Sequence, residues 1–136
     1  MIIDTAIVDT AECMTSDIPL PPTSGARVKF HGCVRNHDGG QEVTHLDYEA
    51  HPDAGKFLRV SVEKAAKNFS VDNIYVRHQV GRLYIGEMAL LVIVDSAHRS
   101  EAFALAALII DTIKQEVPIW KHQYYGDGTS QWSNCP

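Results

Sequence analysis

The sequence predicts an α+β fold: two main helices packed on a mainly antiparallel sheet. Three patterns carry that expectation. "RVKFHGCVR" (27–35) alternates, with Val28, Phe30, Gly32 and Val34 on one face and charged or polar residues on the other, as in a strand with one buried face. "MALLVIV" (88–94) is almost unbroken apolar, as in a central strand covered on both faces. Leu58, Val62, Ala65 and Phe69 recur at helical spacing, and "AFALAALII" (102–110) is apolar all round. The second helix is therefore expected to be deeply buried.

Each element follows in chain order. "IIDTAIV" (2–8) suits a first strand, and "MTSDIPLPPTSG" (14–25) is loop chemistry too short to separate two domains. Strand 27–35 runs into "NHDGG" (36–40), a strong turn, and "VTHLDYEA" (43–50) can return. The two strands read as a hairpin. Pro52 and Asp53 start a helix within 51–69. "NIYVRHQV" (73–80) reads as a strand, "GRLYIGE" (81–87) as a bend, and 88–94 as the central strand. Ser96 is a plausible N-cap for the second helix, and Pro118 ends it after a last turn near Lys114–Glu116. The tail 119–132 returns to strand-like and turn-like residues.

Composition narrows the function. The chain has 136 residues, which suits one domain. Twelve Lys and Arg against seventeen Asp and Glu give a formal charge of −5, which argues against a nucleic-acid binder. No apolar run approaches the ~20 residues of a membrane span, and "MIIDTAIVDT" lacks the basic start of a signal peptide. A reducing, cytoplasmic setting is expected. Cys13, Cys33 and Cys135 are odd in number and widely spaced. They suit neither a disulfide framework nor a zinc site. Cys33 reads as a packed thiol.

Candidate chemistry gathers at the ends of the second helix. "SAHRSEAF" (96–103) puts His98 and Arg99 in the first turn, where a helix already carries partial positive charge and cations are mildly unfavourable. Free N–H groups together with those side chains make an anion site. Alternatively, Arg99 simply lies in solvent. Lys114, at the other end, suits the helix dipole with Asp111 as an i−3 partner. Lys121 beside Trp120 reads as a lysine snorkelling out of a strand, and Arg35 as an exposed charge before the turn. His31, His45 and His78 lie on strands as core or surface groups. Pattern alone reaches a cationic pocket fed by loop ends.

"GCVRNHDGG", "LDYEAHPDA", "HQVGRLYIGE", "VDSAHRSEAF" and "DTIKQEVPIWKHQ" occur in this order. In this the chain resembles the large, catalytic subunit of molybdopterin synthase, the MoaE family, over about residues 25–132, with residues 1–24 matching loosely. The resemblance implies an α/β-hammerhead-like fold. It implies a homodimer, each copy binding a small ubiquitin-like sulfur-carrier subunit to form a heterotetramer. The carrier's C-terminal Gly-Gly thiocarboxylate enters a pocket and passes sulfur to cyclic pyranopterin monophosphate, forming the dithiolene of molybdopterin. His98 and Arg99 then bind substrate and complete a pocket with residues of the other protomer. Arg35 is a pocket cation, and Lys114 and Lys121 are the catalytic lysines. A lysine among cations and partly desolvated has a lowered pKa and can move a proton or take an acyl group. The resemblance requires no metal and no cofactor for this step, and no catalytic cysteine. The strand 88–94 and the sheet edges are candidate dimer contacts. The alternative is a non-catalytic regulatory paralogue that holds a phosphate or a carboxylate tail. The lysine pair favours the enzyme.

Overall fold

The structure is a computed structural model and describes residues 1–15 and 17–133. Cys135 lies outside the described residues. Two sheets share one core. The first has the order β1 (Ile2–Val8), β5 (Asn73–Gln79), β7 (Met88–Ser96), β2 (Ala26–Cys33). Only β1 and β5 run parallel in it; the other pairs are antiparallel. The second sheet is antiparallel throughout: β4 (Gln41–Ala50) takes β8 (Ile119–Tyr125) on one edge, and β9 (Ser130–Ser133) follows. Two short strands, β3 (His37–Asp38) and β6 (Gly81–Tyr84), share the other edge of β4. The fold is α+β, as the patterns require.

Helices α1 (Ala54–Ala66) and α2 (Arg99–Glu116) pack side by side on the first sheet. Leu58 and Val62 of α1 and Leu105, Ile109 and Ile113 of α2 meet Ile74, Val76, Val92 and Val94 of the strands. Leu46, Leu83 and Ile119 close the same core from the second sheet. On the opposite face of the first sheet, Tyr75, Leu91 and Ile93 lie under Met14 and Ile18. Strand β7 is thus covered on both faces, and both its edges are paired. It offers no free edge to a second copy. No helix among the described residues is long and apolar enough to cross a membrane.

Four readings of the sequence are corrected. The 27–35/43–50 hairpin does not form: β2 pairs with β7, and β4 pairs in the other sheet. The "NHDGG" turn is real, with Gly39 and Gly40 at φ 57° and 79°, as a two-residue hairpin turn needs. Its first strand is only β3, because the buried β7 requires a second neighbour and β2 supplies it. The 81–87 bend opens with strand β6, and its two glycines, Gly81 and Gly86, take positive φ (96° and 85°) at the start of β6 and just before β7. Ser96 does not cap α2; it is buried and its hydroxyl donates to the His98 carbonyl, while His98 holds the cap position. Finally, α2 is not buried all round: Phe103 and Leu108 face solvent, because one helix layer on one sheet face buries only the side that meets the sheet.

The outer face of the second sheet carries a ladder of rings across four strands. His45 of β4 lies between Tyr84 of β6 (5.9 Å between centroids) and Tyr124 of β8 (4.4 Å, stacked). His122 then lies between Tyr124 and Trp132 of β9, 4.3 Å from each. Arg82 joins this face through both oxygens of Asp47, at 2.9 and 3.0 Å. The cross-strand pairs among them, His45–Tyr84, His45–Tyr124 and His122–Trp132, each stabilise the sheet by a few tenths to ~1 kcal/mol.

One buried ion pair anchors the approach to α2. Asp95 is fully buried and accepts two bonds from Arg27, at 2.7 and 2.9 Å, and one from Asn73 at 3.2 Å. Beside it the Gly25 N–H donates to the Ser96 carbonyl, and a side chain at Gly25 would sit 2.5 Å from the Ala97 oxygen. By contrast, Arg59–Glu63 is half-exposed on α1 and is worth at most a few tenths of a kcal/mol. Asp95→Ala is expected to cost about 3 kcal/mol, since it strands the partly buried Arg27, and Glu63→Ala almost nothing. Urea unfolding midpoints of the two variants check the contrast; equal midpoints would remove Asp95 as an anchor.

Candidate active site

The chain leaves β2 after Cys33 and crosses to the second sheet. At that crossing a cavity of about 310 Å³ opens between the sheets, at the lower end of the size of small-molecule sites. Its floor is apolar, with Phe30 of β2, Leu46 of β4 and Leu90 of β7. Its polar wall has three cations: Arg35 from the crossing, Lys114 from the last turn of α2 and Lys121 from β8. Alternation places Lys121 and Gln123 of β8 inward, and Leu46 and Tyr48 of β4 opposite them.

Among the described residues, Asp38 is the one carboxylate in this wall. It accepts a hydrogen bond from Gln123 Nε2 at 2.8 Å and lies 3.5 Å from the Arg35 guanidinium. The Gln123 bond, helped by the charges of Lys121 and Arg35, holds its carboxyl below the usual range. Lys114 and Lys121 make no ion pair among the described residues, so the expected Asp111 partner of Lys114 is not engaged. Lys114 is exposed and Lys121 half-buried. From the described residues, the cavity therefore offers three positive charges against one negative charge, in a protein of net −5.

His98 and Arg99 do not line this cavity; both are exposed at the start of α2. About 22 Å of helix axis separates Arg99 from Lys114. Three of the five expected site residues converge and two stand apart. Cys33 is a further correction: it is an exposed thiol on the cavity wall, not a packed one. No cluster of three or more His, Cys, Asp or Glu suited to a metal occurs among the described residues.

Sequence reasoning missed Asp38, Gln123 and His78 as wall residues. Asp38 was absorbed into a turn motif. Gln123 could have been found two positions after Lys121, on the same strand face. His78 is buried on β5, its ring edge-on to Tyr48 at 5.0 Å, and Nδ1 lies 2.9 Å from the Gln79 carbonyl. Burial pushes its pKa down to about 4, against a smaller opposing effect of the Gln79 bond.

The MoaE protein family model matches residues 3–116. The chain belongs to the MoaE family. The MoaE match takes in β1, in the segment that resembled the family only loosely, and stops before Lys121. A molybdopterin synthase catalytic subunit from Nostoc sp. is 40% identical over 113 residues, covering 80% of this chain and 67% of the relative. The crystal structure of molybdopterin synthase from Staphylococcus aureus superposes with a TM-score of 0.79 at 31% identity, over 96% of this chain and 94% of that one. A complex of subunits 1 and 2 of molybdopterin-converting factor from Helicobacter pylori shares the fold, with a TM-score of 0.65 at 23% identity, over 97% and 88% of the two chains.

His78 gives a pH prediction. Its folded pKa of about 4 lies below the unfolded value of 6.5, so the unfolded chain binds more protons between those values. Stability is therefore full above about pH 6.5 and falls toward pH 4, by up to about 3 kcal/mol for this group. Urea unfolding of wild type and His78→Phe at pH 7 and 4.5 should show a smaller loss on acidification in the variant. Equal losses would mean that other groups govern the acid limb.

Proposed function

We propose that this chain is the catalytic subunit of a molybdopterin synthase, working with a small sulfur-carrier subunit. The observation that carries the reading is the convergence of Arg35, Lys114 and Lys121 on one cavity in a MoaE chain that is acidic overall. The ligands that the reaction brings together are both anionic: a cyclic phosphate and a C-terminal thiocarboxylate. Three largely unpaired cations suit them.

The thiocarboxylate of the carrier's Gly-Gly tail supplies the sulfur, and cyclic pyranopterin monophosphate receives it. Arg35 holds phosphate, for which a planar guanidinium fork is suited. Lys114 is the central group, as general acid and base or as transient acceptor of the carrier's acyl group. Lys121 stabilises developing negative charge or holds the pterin side. The step asks for no metal of the protein. Lys114 is exposed in the single chain. Its desolvation then falls to the carrier's tail and to a second protomer.

The separation of His98 and Arg99 from the cavity supports a pocket shared in a homodimer, where the start of one α2 approaches the cavity of the other copy. Two protomers and two carriers then make a heterotetramer.

The deciding experiment mixes the protein with thiocarboxylated carrier and cyclic pyranopterin monophosphate and follows the dithiolene product. Lys114→Ala should lose at least about a hundredfold in rate while staying folded and binding carrier. A folded variant at full rate would move the chemistry elsewhere. Wild type that binds carrier yet makes no product would favour a non-catalytic binder. Lys114→Ala and Arg99→Ala chains, each inactive alone, should recover about a quarter of wild-type activity when mixed and reassorted. Half of the dimers would then carry one intact shared site. No recovery would mean that each pocket is built from one chain.

A further inference from the structure

His78 is a buried imidazole in the cavity wall, and the roles above leave it without a task. It follows Ile74 and Val76 on the core-facing side of β5, where the pattern asks for a third aliphatic residue. A polar ring in such a position needs both nitrogens satisfied. Nδ1 meets the Gln79 carbonyl, which can only accept, so Nδ1 carries the hydrogen. In the neutral ring Nε2 is then a bare acceptor. Among the described residues no donor bonds to it. The Tyr48 ring, edge-on at 5.0 Å, and the Gln79 bond hold the imidazole in one orientation.

The surroundings decide what such an acceptor is for. Among the described residues, the charged groups of the wall are Arg35, Lys114, Lys121 and Asp38. The cations recruit anions, and a second carboxylate would oppose that recruitment. A neutral imidazole can accept from an N–H without adding negative charge. Phosphate and thiocarboxylate anions carry no N–H; a nitrogen heterocycle does.

We propose that His78 reads the heterocycle of the bound substrate, its Nε2 accepting a hydrogen bond from a ring N–H while the cavity's cations hold the anionic end. This rests on the functional reading above and adds a substrate-binding residue to it. The floor of Phe30, Leu46 and Leu90 suits the flat faces of such a ring system.

Three chains test this: wild type, His78→Asn and His78→Gln. Asparagine keeps a donor near the Nδ1 position and loses the acceptor; glutamine reaches the Nε2 position with its amide oxygen. His78→Asn should raise KM for cyclic pyranopterin monophosphate about tenfold to a hundredfold, with kcat and carrier affinity nearly unchanged. His78→Gln should recover most of the loss. In wild type labelled with ¹⁵N-histidine, the His78 Nε2 resonance should move upfield on adding substrate and stay put on adding carrier alone. The resonance measurement needs no variant to fold. An unmoved resonance, or a His78→Asn KM equal to wild type, overturns the assignment. A resonance already at the hydrogen-bonded position without substrate would give Nε2 to a lysine of the wall and also overturn it. Wild type that binds no substrate would sink the functional reading itself, and His78's role with it.

Discussion

A strand that is aliphatic from Ala89 to Val94 has to be hidden on four sides, and β7 is that strand. Its faces are closed by the helices and by the segment around Met14, and its edges by β5 and β2. Much of the topology follows. Once β2 is committed to β7, the chain must leave the first sheet to build the second. The bulge between Gly32 and Cys33 marks the departure, and Arg35 is set down at the crossing. Helix α2 runs back over the first sheet and delivers Lys114 to the gap between the sheets. The cavity lies where the two sheets part, because no strand continues there to fill it.

The cations of that gap are poorly matched by the protein's own acids. Arg35–Asp38, at 3.5 Å and largely exposed, is worth at most about 1 kcal/mol. A bound anion competes readily with it. The strong pairing is spent elsewhere, on Arg27–Asp95 under the start of α2, where a buried charge needs a partner. The molecule keeps its firm electrostatic contacts for architecture and leaves loose ones where a ligand enters.

Local periodicity made the elements legible. β7, both helices and the strand at 2–8 follow from burial pattern alone. Pairing was not legible, because which strand lies beside β2 is decided by β7, far away in sequence. The exposure of Phe103 and Leu108 was hidden because an apolar circumference does not say how many sides have neighbours. For the site, helix ends and the strand lysine were visible as charges. Their convergence with Arg35 came from the family resemblance and not from spacing. Asp38, Gln123 and His78 stayed invisible because a turn aspartate, a strand glutamine and a core histidine each have an ordinary explanation. Only three-dimensional proximity sets them beside the lysines.

The ring ladder on the outer face has a consequence for the inner one. Along β8, Lys121 and Gln123 alternate with His122 and Tyr124. A slip of one residue against β4 would turn the rings inward and the lysine out to water. The stacked rings penalise that slip on the side away from the cavity. They act as an alignment key for chemistry that they never touch. In a mutational survey, positions such as Tyr124 and Trp132 would look like surface decoration, yet the fidelity of the site's assembly is partly written there.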